Sequence, residues 1–251
     1  MISINGRKIN ITKFPDGTSQ VWRLIPEMID PGETQLVKWE FENEGEVIQL
    51  AQLKALLDTY CCYSELYMPY LPYGRQDKEL GNDNTFALYP FAKIINSLGF
   101  KRVAIMDPHS SVAKLILNSE FRYSMLSVIN ILKDSDIDTV CYPDAGAAKK
   151  YPEVYGDLLK FKTLIGDKTR ISLTGEITGI EIKDMSPGDR VLIIDDICDG
   201  GRTFIEITKL LLQAGVESVS LHVSHGLFSQ GIDVLKEAGI KTVYTAKGKV
   251  Y

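Results

Sequence analysis

Apolar and polar positions along this chain change period several times, and each change marks an element. Ile2, Ile4, Ile9 and Ile11 lie on alternating positions around Asn5-Gly6. Val21-Trp22 follow the Pro15-Asp16-Gly17 turn, so residues 1–24 predict β-hairpin structure. Residues 25–45 are rich in Pro, Gly and acids and show no clear period. Val47–Leu57 then places Ile48, Leu50, Leu53, Leu56 and Leu57 on one face at helical spacing. Glu65–Met68 reads as a short strand, Phe86–Leu98 as a helix stopped by Gly99, and Arg102–Met106 as the next strand.

A second half begins near Met125. It runs through a strand at Thr139–Tyr142, a helix over Ala147–Tyr155, an extended Phe161–Ile165 and a strand over Glu176–Ile182. Strands at Val191–Ile194, Val216–Val223 and Thr242–Thr245 follow, with helices after Thr203 and over Gly231–Ala238. Strands alternating with helices predict an α/β protein of two mainly parallel sheets flanked by helices, divided as residues 1–124 and 125–251.

Ligands of open parallel sheets lie beyond the carboxyl ends of strands. The polar clusters fall at such ends: Arg75–Lys78, Asp107–His109, Asp144–Gly146, Asp195–Thr203 and Ser224-His225. The stretch Val191–Leu211 is the most informative. Four apolar residues lead to Asp195 and Asp196, then to Asp199-Gly200-Gly201-Arg202-Thr203 and a helical pattern of Ile205, Leu210 and Leu211. Loop N–H groups and a helix N-terminus seat a phosphate. Two adjacent carboxylates accept hydrogen bonds from two neighbouring sugar hydroxyls, so the stretch reads as a ribose-phosphate site.

With 45% hydrophobic and 24% charged residues the chain has the composition of a soluble globular protein. Its net charge of −5 gives no general reason to expect nucleic-acid binding, and a phosphate ligand must be held locally or through metal ions. Cys61, Cys62, Cys141 and Cys198 sit in no metal-ligand spacing, which suits reduced thiols in a cytoplasm. The first residues lack a signal-peptide core, and no apolar run is long enough to span a bilayer.

The Asp195–Thr203 stretch resembles the ribose-phosphate loop of type I phosphoribosyltransferases and of ribose-phosphate diphosphokinases (PRPP synthetases). Tyr73-Gly74-Arg75-Gln76-Asp77 separates the two, because it resembles the Tyr-Ala-Arg-Gln-Asp segment with which the diphosphokinases bind ATP. Asp107-Pro108-His109 is similar to that family's Asp-Leu-His, which implies that Asp107 and His109 serve Mg²⁺-ATP. Asp144, in Tyr-Pro-Asp-Ala-Gly, matches a loop whose aspartate lies near a metal. Asp167-Lys168-Thr169-Arg170 resembles Asp-Lys-Arg-Arg, which implies that Lys168 and Arg170 close over the transferred group. The two are spaced to share a face of an extended segment. Phe14-Pro15-Asp16-Gly17-Thr18 resembles Phe-Ser-Asp-Gly-Glu, from which Phe14 and Asp16 are expected to reach the adenine of a neighbouring subunit. His225–Ser229 resembles the family's Thr-His-Gly-x-Phe-Ser, and His222 reads as a structural strand residue.

The resemblance runs from about Lys13 to Thr245 and implies two phosphoribosyltransferase-like domains, the first for ATP and the second for ribose phosphate. Relative to the family the chain is short, and is expected to lack the strand and helix before Phe14 and the C-terminal tail. Its phosphate loop reads Asp-Gly-Gly-Arg-Thr where the family has Asp-Thr-Gly-Gly-Thr. Gly200 opens space and Arg202 adds a cation. That change suits either ribose 5-phosphate or an acceptor extended beyond its 5′-phosphate, such as ADP-ribose. The implied activity is diphosphate transfer from Mg²⁺-ATP to a ribose 1-hydroxyl, in a cytoplasmic homo-oligomer with neither nucleic acid nor membrane as partner. A PRPP-consuming transferase and a non-catalytic regulatory subunit are the alternatives. Retention of Arg75, His109, Lys168 and Arg170 argues against the second.

Overall fold

The computed structural model describes all residues except 25, 31, 80, 82–83, 124, 157–159 and 171–176, and gives the backbone alone for 125, 126, 155, 168–170, 177 and 178. The chain divides into two compact units, Met1–Arg122 and Tyr123–Tyr251.

The first unit opens with β1 (Ile2–Ile4) and β2 (Arg7–Lys8), an antiparallel pair joined by Asn5-Gly6. Both turn residues have positive φ, 47° for Asn5 and 79° for Gly6, the conformation that makes Asn-Gly a hairpin turn. A second hairpin follows, β3 (Ile11–Lys13) and β4 (Ser19–Val21), and then β5 (Gln35–Trp39). The helix α1 (Glu46–Thr59), strand β6 (Ser64–Met68), helix α2 (Leu88–Ser97), strand β7 (Arg102–Met106), helix α3 (Val112–Ile116) and strand β8 (Ser119–Arg122) complete it. The sheet order is β2-β1-β5-β6-β7-β8, parallel from β5 to β8 and antiparallel at the β1 edge. Trp39, Leu50, Leu53, Leu57, Leu66, Met68 and Leu88 are fully buried in its core. Ile48, expected on the apolar face of α1, is instead 61% exposed.

Strand β5 lies where the sequence showed no period. Its buried positions are Gln35, Val37 and Trp39, while Leu36 faces out. The Gln35 amide is fully used: Oε1 accepts from Asn5 Nδ2 at 2.8 Å and from the Asp30 N–H at 3.0 Å, and Nε2 donates to the Asp30 and Glu33 carbonyls at 2.8 Å each. A glutamine so satisfied occupies a core position that a hydropathy pattern assigns to an apolar residue.

The second unit contains α4 (Met125–Asp134), β9 (Thr139–Tyr142), α5 (Ala145–Tyr155), β10 (Lys162–Arg170), β11 (Ile177–Ile182) and β12 (Arg190–Cys198). Then come α6 (Arg202–Gln213), β13 (Ser218–Gly226), α7 (Asp233–Glu237), β14 (Ile240–Thr245) and β15 (Gly248–Lys249). The sheet order is β11-β10-β9-β12-β13-β14-β15, with β10, β9, β12, β13 and β14 parallel and an antiparallel strand at each edge. Val191 and Ile193 join one apolar cluster with α6, while Leu192 and Ile194 join another with α4 and α5. Burial on both faces is why this strand reads as an unbroken apolar run. Each unit is thus an α/β sheet, mostly parallel and flanked by helices.

Candidate functional site

Strand β12 is longer than its apolar run. It continues through Asp195 and Asp196 to Cys198, pairing Asp195 with Val223 and Ile197 with His225 on β13. The two acids are therefore the sixth and seventh of nine strand residues, two positions short of the strand end at which the sequence placed them. The strand persists because Ile197 and Cys198 still have β13 to bond. Rigid ladder geometry then fixes where both carboxylates leave the backbone. The Asp196 N–H donates to Asp195 Oδ1 at 2.9 Å. Asp196 is buried, 5% exposed, and Lys150 Nζ on α5 stands 3.3 Å from its Oδ2. Nothing in the sequence singled out Lys150, one of two adjacent lysines on α5, because its partner lies 46 positions away on a strand.

After β12 the chain turns through Asp199-Gly200-Gly201 into α6, with Arg202 and Thr203 as the first helical residues. Gly201 has φ 79°, and a Cβ there would come within 2.8 Å of Leu235 Cδ2, so both backbone and packing require glycine. A Cβ on Gly200 would meet Gln230 Cγ at 3.5 Å and Ser229 Oγ at 4.0 Å, ordinary contacts that leave room for a side chain. Arg202 is not turned into the loop: it is 68% exposed along its side chain, and its Nε donates to Glu206 Oε1 at 3.0 Å one turn along α6. The Leu227 and Phe228 N–H groups both donate to the Cys198 carbonyl, at 2.8 and 3.2 Å, folding residues 227–230 beside the loop. Cys198 itself is buried. Desolvation, with the charges of Asp199 and Asp195 behind it, pushes its thiol up to about 12, so it is an inert core group.

Lys168 and Arg170 lie on β10, which pairs with β11 as an antiparallel arm. The ladder register shifts between Thr169 and Arg170, so simple alternation does not carry across the pair. Their side chains lie outside the described ones. Asp144 is the N-cap of α5, its Oδ1 accepting from the Ala147 N–H at 3.0 Å.

In the first unit, Arg75 and Gln76 are exposed and Asp77 half-buried on the turn that follows β6, where the Gln76 N–H donates to the Tyr73 carbonyl at 2.9 Å. Tyr73 has φ 61°, and its hydroxyl donates to Glu44, a bond that with burial raises its pKa. Asp107, the residue after β7, is fully buried at φ 37°, while His109 two residues on is exposed. A non-glycine residue held in left-handed conformation at a strand end is a common mark of functional sites. Phe14, 43% exposed, and Asp16 form the tip of the β3–β4 hairpin. The Asp16 carboxylate accepts from the Thr18 N–H and hydroxyl at 2.9 and 2.7 Å, which lowers its pKa. Thr18 thus makes the turn that presents Phe14. A cleft of about 1000 Å³, lined by Arg23, Leu24, Tyr60 and Tyr63 among others, precedes the N-terminal ends of β5 and β6. It lies at the opposite end of that sheet from Arg75, Asp107 and His109.

The phosphoribosyl transferase domain model matches residues 148–245. Over 253 residues, 97% of this chain and 85% of the relative, the sequence is 26% identical to a ribose-phosphate pyrophosphokinase of Saccharolobus solfataricus. It is 28% identical over 193 residues to the chloroplastic ribose-phosphate pyrophosphokinase 3 of Oryza sativa subsp. japonica, covering 72% of this chain but only 46% of that one. The fold matches a phosphoribosylpyrophosphate synthetase structure from Mycobacterium smegmatis with a TM-score of 0.80 and 18% identity, over 95% of this chain and 79% of that one. These matches span nearly the whole chain, including the first unit that lies outside the transferase-domain match, so the chain is similar over its length to ribose-phosphate pyrophosphokinases and shares the fold of a phosphoribosylpyrophosphate synthetase.

Proposed function

We propose that the protein transfers the β,γ-diphosphate of ATP to the 1-hydroxyl of ribose 5-phosphate, releasing AMP. The observation that carries this reading is the placement of two different polar sets on two like sheets: Asp195, Asp196 and the α6 loop in the second unit, and Arg75, Gln76, Asp107 and His109 at the C-terminal strand ends of the first. A transferase that merely consumes PRPP has no use for the second set.

In this reading Asp195 and Asp196 accept hydrogen bonds from the ribose hydroxyls, and the N–H groups and helix end at Asp199–Thr203 hold the 5′-phosphate. Arg75 and Gln76, with Asp77, hold ATP, and Phe14 and Asp16 of a neighbouring copy pack on its adenine. Lys168 and Arg170 neutralise the charge that builds on the diphosphate as it moves, and positioning supplies most of the rest. Mg²⁺ fits this donor set as an ion carried on phosphates. No group of three or more His, Cys, Asp or Glu able to cage a metal occurs among the described residues. Mg²⁺ characteristically takes one or two carboxylates plus substrate phosphates and water. Asp107 and His109 would serve it in the first unit, and Asp144 is the oxygen ligand that the second unit offers; the ion would supply charge neutralisation on the diphosphate.

ADP-ribose as acceptor is favoured by one feature, the room beside Gly200. The second half of that argument, a cation from Arg202, is weakened by its pairing with Glu206, so ribose 5-phosphate is the acceptor we put first. No helix among the described residues is long and apolar enough to cross a membrane. The test is AMP release from Mg²⁺-ATP in the presence of ribose 5-phosphate or ADP-ribose and no nucleobase. Absence of AMP with both acceptors, together with base-dependent diphosphate release from PRPP, would replace this reading by the transferase one. The shared adenine pocket requires at least a dimer, and a fully active monomer in sedimentation would refute it.

A further inference from the structure

Among the described residues, the phosphate loop of the second unit is poor in positive charge. Asp195, Asp196 and Asp199 surround it, Lys150 faces Asp196, and Arg202 is turned along α6 to Glu206. A phosphate bound there depends on neutral donors: backbone N–H groups, the Thr203 hydroxyl, and whatever side chains stand at the rim. Position 200 supplies none, being glycine.

The structure shows what stands in its place. The segment after β13 is folded against the loop by the two bonds from Leu227 and Phe228 to the Cys198 carbonyl. It is locked there by Gly226, where a Cβ would lie 2.1 Å from the Phe228 ring, and by Phe228 itself at φ 48°. A turn bond from the Gly231 N–H to the Phe228 carbonyl, 2.8 Å, fixes residues 229 and 230. This rigid corner puts Gln230 Cγ 3.5 Å from where the first side-chain carbon of residue 200 would be. The Gln230 amide begins one bond beyond that carbon. Gln230 is exposed, and its amide makes no hydrogen bond with the described residues. A phosphate only accepts hydrogen bonds, and a glutamine offers it two N–H donors without adding charge.

We propose that Gln230 is an acceptor-binding residue of this site, its side-chain amide donating to the phosphate of the acceptor across the gap left by Gly200. The inference rests on the reading of Asp195–Thr203 as the ribose-phosphate seat, but it concerns binding and is tested by binding. Gly200 and Gln230 act as one unit. Glycine at 200 makes way for the amide, and a hydroxyl-bearing side chain at 200 would make the amide redundant. The backbone at Gly200 lies outside the left-handed region, so a threonine there carries no conformational strain.

The experiment is calorimetric titration of ribose 5-phosphate into the full-length protein and three variants. Loss of one hydrogen bond to a charged group weakens binding about tenfold or more. Gln230→Ala therefore raises the Kd for ribose 5-phosphate about tenfold, with the Kd for Mg²⁺-ATP unchanged. Gln230→Glu, equal in size but with a negative acceptor in place of the donor, raises it further. Gly200→Thr in the Gln230→Ala background restores most of the loss. All three keep the thermal midpoint of the parent, because residue 230 is exposed. Equal affinity of the parent and Gln230→Ala overturns the assignment, and so does a Gln230→Glu variant that binds as tightly as the parent. Turnover is scored separately. Tight, Gln230-dependent binding with no AMP release would overturn the diphosphate-transfer reading and leave the Gln230 contact standing. AMP release with Gln230-independent binding would do the reverse.

Discussion

Replacing Lys150 by methionine keeps the apolar stem of the side chain and removes the charge that faces Asp196. At the observed 3.3 Å, and with an effective dielectric of about 20, the attraction is about 5 kcal/mol before costs. Desolvation of both ions offsets much of it. Asp196 is 8% exposed along its side chain and Lys150 19%, so water screens the lysine more than its partner. A net loss of about 2 kcal/mol is expected, below the 3–5 kcal/mol typical when one member of a fully buried pair is deleted. Urea unfolding of Lys150→Met checks this through the shift of its midpoint at constant slope. The decisive comparison is the double variant Lys150→Met with Asp196→Asn. Removing both charges should recover most of the lost stability while ribose 5-phosphate binding stays weak, because Asp196 is also needed for the sugar. If Lys150→Met is as stable as the parent, or if the double variant loses the sum of the two single losses, the pair is not coupled and its place in the site is wrong.

Three further outcomes follow from other parts of the structure. Gly201→Ala forces a left-handed alanine against Leu235 and should cost about 1–2 kcal/mol in urea unfolding, with ribose 5-phosphate binding weakened at least tenfold; an unchanged Kd would mean the loop does not seat the phosphate. Lys168→Ala should lower kcat by two to three orders of magnitude, a loss of about 3–4 kcal/mol in transition-state stabilisation, with little change in melting temperature; near-normal turnover would remove Lys168 from the charge-neutralising role. His222 is fully buried on β13 with neither ring nitrogen hydrogen-bonded among the described residues, and burial pushes its pKa down to about 4. Its neutral form belongs to the folded state, so the unfolded chain takes up the proton first as pH falls. Stability should decline from pH 6.5 toward pH 4, by up to about 1.4 kcal/mol per pH unit. His222→Leu should lack this part of the slope, and an identical pH profile for the two proteins would contradict the assignment.

Much of this architecture was legible because local chemistry and tertiary structure agree. Asn5-Gly6 forms its turn with both φ angles positive, and the Val191–Ile194 run forms a strand buried on both faces. Strand β5 was hidden because a glutamine with a full set of hydrogen bonds fills a core position while Leu36 faces solvent. The short α3 and β8 were missed after Asp107-Pro108-His109. Five and four residues are too few to display a period, and on β8 Phe121 is only half-buried between exposed Glu120 and Arg122. The site divides the same way. Residues joined by a contiguous motif, such as Asp195–Thr203, could be read in order. Lys150 and Gln230 are brought to that motif by other elements, from 46 positions before Asp196 and from the far side of β13, so only the folded chain reveals them. Arg202 is the instructive case. Its position in the loop was readable, but its direction was set by Glu206 one helical turn later.

The central claim is that a diphosphate, and not a single phosphate or a base, is what moves. ATP labelled at the β-phosphorus, incubated with Mg²⁺, ribose 5-phosphate and the purified protein, follows that group directly by phosphorus NMR. The account requires unlabelled AMP and an equal amount of a sugar diphosphate carrying the label on the phosphorus attached to the ribose C1 oxygen. Labelled ADP with an unlabelled sugar phosphate would mean transfer of the terminal phosphate alone, and would contradict it.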